Sequence, residues 1–191
     1  MERLIMERIQ KYSQYLSYTF LAALILTPVK WIILWANINN EGFNNLYNFK
    51  SLIEIQIAPC AKVTTIAWNS IQKVMGFGSS FFYELMFWMG IFYLYKIFKN
   101  YQKAEIFTLQ NGQYYINIGI CFLLQGMVFR TLSDMFLNLA ASLSNPPGQR
   151  MIVVGISNTN ANDIILGAII IVIAWVMKEA ASLKEEQSLT V

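Results

Sequence analysis

The sequence predicts an all-α integral membrane protein, a four-helix bundle with an extra amphipathic helix in the first extracytoplasmic loop. Three observations carry that expectation. Of the 191 residues, 56% are apolar and only 13% charged, with a mean hydropathy of +0.44, whereas soluble domains carry roughly 25% charged residues. Four stretches are long and apolar enough to cross a hydrocarbon core, which takes about 20 such residues. No low-complexity linker and no internal repeat divides the chain, so a single membrane domain over residues 1–191 is expected.

The first span, residues 15–35 ("YLSYTFLAALILTPVKWIILW"), follows Arg3, Arg8 and Lys11. Its apolar run is too long for the core of a signal peptide and "ANINNEGF" offers no small-x-small cleavage site, so retention is expected. Pro28 is expected to kink it, because proline removes a backbone hydrogen bond and crowds the preceding turn. The outer loop, 36–78, opens with Asn-rich "NINNEGFNNLYN", which reads as irregular, and then alternates in "IEIQI", which suits a short strand. In "APCAKVTTIAWNSIQKVMGF", Pro59 suits a helix start, and Val63, Ala67, Ile71 and Val74 recur at helical spacing. This predicts the amphipathic helix, lying on the interface or capping the bundle.

The second span is 79–98, followed by a basic loop at 99–112. The third, 113–143, is long enough to cross and protrude. The second outer loop, 144–162, is turn-rich around Pro146, Pro147 and Gly148. Its "MIVVGI" either dips into the interface or pairs with "IEIQI". The fourth span, 163–180, has a short core, "DIILGAIIIVIAWVMK", that "EAASL" extends. Four spans put both termini on one side. With that side cytosolic, Arg3, Arg8, Lys11, Lys96, Lys99, Lys103, Lys178 and Lys184 lie inside, against Lys50, Lys62, Lys73 and Arg150 outside. Eight against four favours cytosolic termini and a cytosolic tail.

Composition excludes several functions. Histidine is absent, and the two cysteines, Cys60 and Cys121, fall in different segments, so neither a disulfide framework nor a tetrahedral zinc site is expected. A net charge of +3 is too small and dispersed for direct nucleic-acid binding. No nucleophile elbow, phosphate-cradling glycine loop or metal-ligand cluster is present, so neither an enzyme nor a cofactor or metal is expected. Ser133 and Asp134 are adjacent and diverge by about 100° on a helix, and no base stands ready to activate the serine.

Two features of the third span invite attention. Gly112, Gly119, Gly126, Ser133 and Ala140 recur at intervals of seven, and on an α-helix that interval returns to nearly one face, drifting about 20° per heptad. Such a stripe of small side chains suits a helix-packing seam, since small residues let membrane helices approach closely. The second feature is charge. At a rise of about 1.5 Å per residue, Lys30, Glu84, Arg130, Asp134 and Asp163 all fall about 21–27 Å above the cytosolic ends of their spans, in the outer third of the bilayer. A buried charge is costly and is usually paired. Either the five form a closed polar network that sets helix register, with Lys30 snorkelling outward, or they line an outward-facing pocket. The closed network is favoured.

Two further stretches carry a family pattern. "FKNYQKAEIFTLQNGQYYINIG" (98–119) has a basic helical exit, a Phe-Thr pair and an Asn three residues on, with Phe107, Thr108 and Asn111 in those places and Ala104 where glycine is expected. "EAASLKEEQSLTV" (179–191) ends in Leu183, Glu185, Glu186, Leu189, Thr190 and Val191. Together they resemble a family of small bacterial four-helix membrane proteins described as domain of unknown function 2975. The resemblance implies a bacterial cytoplasmic membrane protein without settled activity, whose relatives look like partners of small helix-turn-helix regulators. Thr108 suits an N-cap, Phe107 a hydrophobic staple, and the tail a docking element on this turn; the plainer alternative is that both stretches only end helices. The expected role is therefore a non-enzymatic interaction or regulatory partner, with homo-oligomerisation open. The rival is an oligomeric channel or transporter using the charged level. Against it, the cytosolic halves of the spans are apolar, with Asn117, Cys121 and Gln125 the notable polar interruptions of the third.

Overall fold

A computed structural model describes residues 2–48, 66–150 and 158–189. Helices form on the apolar runs and continue beyond them. Helix α1 is Glu2–Ala36 and passes through Pro28 without ending there. Helix α2 is Glu41–Tyr47, α3 Ser70–Gln102 and α4 Leu109–Leu124. A π-helical turn, Gln125–Phe129, joins α4 to α5, Arg130–Ser142; α6 is Asn158–Leu189. Four helical rods are long and apolar enough to cross a membrane: α1, α3, α4 with α5, and α6. The described residues contain no strand.

Several boundaries move from those expected, each for a local reason. Within the Asn-rich stretch expected to be irregular, residues 41–47 are helical, while 37–40 are not. Asn40 Oδ1 accepts from Phe43 N at 3.1 Å, Glu41 faces the positive end of the helix dipole, and Asn48 closes the helix in the left-handed region at φ 49°. Asn40 and Asn48 are its caps. Helix α3 starts nine residues before the expected second span because Asn69 and Gln72 form a reciprocal capping box: Gln72 N donates to Asn69 Oδ1, and Asn69 N to Gln72 Oε1, both at 2.9 Å. Ile71 and Val74 thus belong to the opening turns of α3, while residues 66–69 are non-helical. Helix α6 likewise begins at Asn158, inside the expected second outer loop. "IEIQI", "MIVVGI", Pro59, Cys60, Val63, Thr190 and Val191 lie outside the described residues.

The chain forms two compact units. One comprises Leu26–Leu85 and Met127–Asn158. Its core gathers Trp35, Ile38, Ile66, Trp68, Leu137, Ala140 and Ala141. The Trp35 and Trp68 rings meet edge to face at 5.3 Å, and Trp35 lies so close to Gly76 that any Cβ there would overlap its indole. Hydrogen bonds tie this core together. Trp35 Nε1 donates to Ser80 Oγ at 2.8 Å, Gln72 Nε2 to the Ala140 carbonyl at 3.0 Å and to Ser144 Oγ at 2.8 Å, and the Ser79 and Ser133 hydroxyls pair at 3.2 Å.

The other unit comprises Met1–Ile25, Met86–Gly126 and Thr159–Val191. Here α4 and α6 touch through backbone. A Cβ on Gly119 would lie 2.9 Å from the Gly167 carbonyl oxygen, and one on Gly167 2.7 Å from the Gly119 carbonyl oxygen. Helix α1 is braced to the end of α3 by Gln10 Nε2 donating to the Gln102 carbonyl at 3.1 Å and Gln102 Nε2 to Ser17 Oγ at 2.8 Å. The last turns of α3 are sheathed in aromatics: Lys96 Nζ lies over the Phe92 and Tyr114 rings, and Lys99 Nζ over Tyr95, the aromatic and basic mixture that favours a membrane interface.

Candidate functional site

The turn between α3 and α4 is built around one asparagine. Helix α3 ends in a Schellman arrangement, with Glu105 N donating to the Asn100 carbonyl and Ala104 N to the Tyr101 carbonyl, both at 3.1 Å. That geometry puts Ala104 at φ 66°, a left-handed conformation in which an L side chain is strained and glycine is not. The chain then turns back into α4, where the Thr108 hydroxyl accepts from Asn111 N at 3.2 Å as an N-cap. Asn111 itself is fully buried. Its Nδ2 donates to the Glu105 and Ile106 carbonyls at 2.6 and 2.9 Å, and its Oδ1 accepts from Asn100 Nδ2 at 2.7 Å. One side chain thus satisfies both sides of the turn.

Beside this turn runs α6. Phe107, Thr108 and Leu109 together with Ala181, Lys184 and Glu185 line a groove of about 340 Å³. Phe107 and Leu109 are half-exposed and so is Leu183, while Ala181 is buried. Lys178 Nζ donates to Gln113 Oε1 at 2.9 Å just above it. The two segments, about 75 residues apart in sequence, make one surface. Glu185 and Glu186 are exposed on α6, and Leu189 is its last residue.

The charged level is organised by aromatics. Lys30 is exposed, with Nζ 4.6 Å from the Trp31 ring centroid; Trp31 Nε1 donates to Glu84 Oε1 at 3.2 Å, and Glu84 is buried. Arg130 lies over the Tyr83 ring, Cζ to centroid 4.8 Å, and its Nη2 donates to Tyr83 Oη at 3.4 Å. Asp134 comes one turn later along α5, close enough for its charge and that of Arg130 to attract. In the other unit, Asp163 lies on α6 beside Gly126, 3.1 Å from where a Cβ on that glycine would be. Trp31 and Tyr83, which carry no charge, are the links that counting charges overlooks.

All five small residues at seven-residue spacing are buried, but they face two different helices. Gly112 abuts Lys178, Gly119 meets Gly167 and Ile171, and Gly126 meets Asn160 and Ile164, all on α6. Ser133 bonds to Ser79, and Ala140 receives Gln72, both from α3. Between the two groups lies the π turn. A π turn adds a residue to the winding and so rotates the downstream helix by about 100°. Where the α-ladder changes there, fully buried Asn160 supplies a donor to the Gly126 carbonyl at 2.9 Å.

A family model described as "Protein of unknown function (DUF2975)" matches residues 14–191, nearly the whole chain. The chain belongs to the DUF2975 family. No curated protein and no solved structure matches it. In this DUF2975 protein Phe107 and Thr108 of the turn and Glu185 of α6, which the sequence groups by resemblance, line one groove. Asn100, Gln72 and Asn160 are polar residues of the fold that the sequence does not single out. Only Gln72 had a local signal, the Asn-x-x-Gln spacing of a capping box; Asn100 pairs across the turn with Asn111, and Asn160 with the Gly126 carbonyl on the facing helix.

Proposed function

We propose that this DUF2975 protein is a non-enzymatic, multi-pass protein of the bacterial cytoplasmic membrane that acts as an interaction or regulatory partner. Its groove at Phe107, Thr108 and Leu109 and at Ala181, Lys184 and Glu185 takes a cytosolic protein. The observation that carries this reading is the convergence of the turn and α6 on one groove, with Phe107 and Leu109 presented to a partner instead of being buried. The Lys and Arg distribution supports a cytosolic location for both termini, the turn and the groove. A small helix-turn-helix regulator is the partner class that the family resemblance suggests, and a groove with apolar walls beside Lys184 and Glu185 suits an amphipathic helix.

The test is co-purification in gentle detergent of the N-terminally tagged protein with a co-expressed small helix-turn-helix regulator encoded beside it. Wild type retains the regulator, and Phe107→Ser with Leu109→Ser loses it while helical content is unchanged. No retention by wild type, together with ion flux in liposomes that Arg130→Gln abolishes, would overturn the reading in favour of a channel. Cysteine-labelling accessibility at both termini, from outside intact cells, checks the orientation; labelling of either terminus contradicts it.

A further inference from the structure

A second groove, of about 480 Å³, lies in the unit formed by Leu26–Leu85 and Met127–Asn158. Leu26, Val29 and Ile33 make its wall on α1, Phe43 and Tyr47 close it from α2, and Lys30 stands in its lining. The wall is a lipid-facing surface: all three aliphatic side chains are exposed on a helix apolar enough to span. Lys30 is six residues short of the end of α1 at Ala36, about 9 Å along the axis, a depth from which a lysine reaches the headgroup layer.

Among the described residues the cation is held without an ion-pair partner. Its Nζ rests on Trp31, whose indole is fixed by the hydrogen bond to Glu84. We infer that this groove binds an anionic membrane phospholipid, with one acyl chain along Leu26, Val29 and Ile33, the phosphate on Lys30, and Phe43 and Tyr47 beside the glycerol. An acyl chain gains little by leaving the bilayer for an equally apolar wall. Selectivity therefore rests on charge, and a single lysine near the headgroups favours an anionic over a zwitterionic lipid by about fivefold, the equivalent of ~1 kcal/mol.

The experiment extracts the full-length protein from vesicles of equal phosphatidylglycerol and phosphatidylcholine into gentle detergent and measures retained lipid by native mass spectrometry. Wild type retains phosphatidylglycerol in preference, Lys30→Gln lowers the ratio of the two lipids about fivefold, and Lys30→Arg keeps it. Val29→Trp fills the groove and removes the retained lipid altogether. Lys73→Gln, a half-buried cation that donates to the Ala36 carbonyl and does not line the groove, keeps the wild-type ratio. An unchanged ratio in Lys30→Gln, an equal fall in Lys73→Gln, undiminished retention in Val29→Trp, or retention of a free fatty acid in place of phospholipid would each overturn the assignment. Lys30 and Val29 are exposed, and an unaltered thermal transition confirms that each variant is folded.

Discussion

The two units use the same third rod in opposite ways. Along α4 the rod meets α6 by removing side chains: Gly119 and Gly167 bring two backbones within contact, and a methyl group on either would strike a carbonyl oxygen. Along α5 the rod meets α3 by adding polar side chains and stacking rings, through the Ser79 and Ser133 hydroxyls, the Gln72 amide and the Phe82 and Phe136 rings. In a bilayer, apolar surface alone gives no preference for a helix over lipid, so association rests on close van der Waals contact or on interhelical hydrogen bonds. Close contact leads between α4 and α6, with the Asn160 bond to the Gly126 carbonyl beside it, and hydrogen bonds lead between α5 and α3.

The comparison is broken most directly at Gly119. Gly119→Leu is expected to destabilise by about 3 kcal/mol, the upper part of the overpacking range, measured by reversible unfolding in mixed micelles. Gly90→Leu is the control, because nothing lies within 4 Å of its Cβ position, and it should be near neutral. Equal losses at the two glycines would remove the distinction. Next is Asn111→Ala, expected to cost about 2 kcal/mol, since it strips the donor from the Glu105 and Ile106 carbonyls in a buried site. Protease cleavage at the turn should rise with it.

Ala104→Gly runs the other way. Relieving the left-handed strain at φ 66° should stabilise by about 1 kcal/mol, raising the unfolding midpoint without altering the groove. The smallest effect sharpens the second half of the comparison. A double-mutant cycle on Ser79→Ala and Ser133→Ala should give a coupling of about 0.6 kcal/mol, the typical size for interhelical bonds in membranes. A coupling indistinguishable from zero would leave shape alone holding α5 to α3.

The four membrane-length helices were legible from composition and run length, because a bilayer admits few alternatives. The turn at Thr108 was legible too, since a hydroxyl before a helical run is a local capping signal. Helix α2 was not: its asparagines serve as caps at both ends, and composition alone cannot tell a cap from a loop. The polar site was legible only in its formal charges. Lys30, Glu84 and Arg130 stand out in an apolar sequence, but the groups they touch, Trp31 and Tyr83, look like ordinary membrane aromatics until the fold brings a hydroxyl or an indole N–H into place. The π turn was the least visible, because small residues keep their spacing of seven straight through it.

That last feature bears on how relatives of this chain are compared. A relative whose third rod is α-helical throughout would present the same two faces with one residue fewer. Its counterparts of Gly126 and Ser133 would then stand six positions apart, and a correct alignment would place a single-residue gap within 125–129. An alignment that avoids the gap to preserve the heptad would set every residue of α5 against the wrong neighbour. The unbroken spacing of small residues is, for this rod, the misleading guide, and the interruption in its winding is the true landmark.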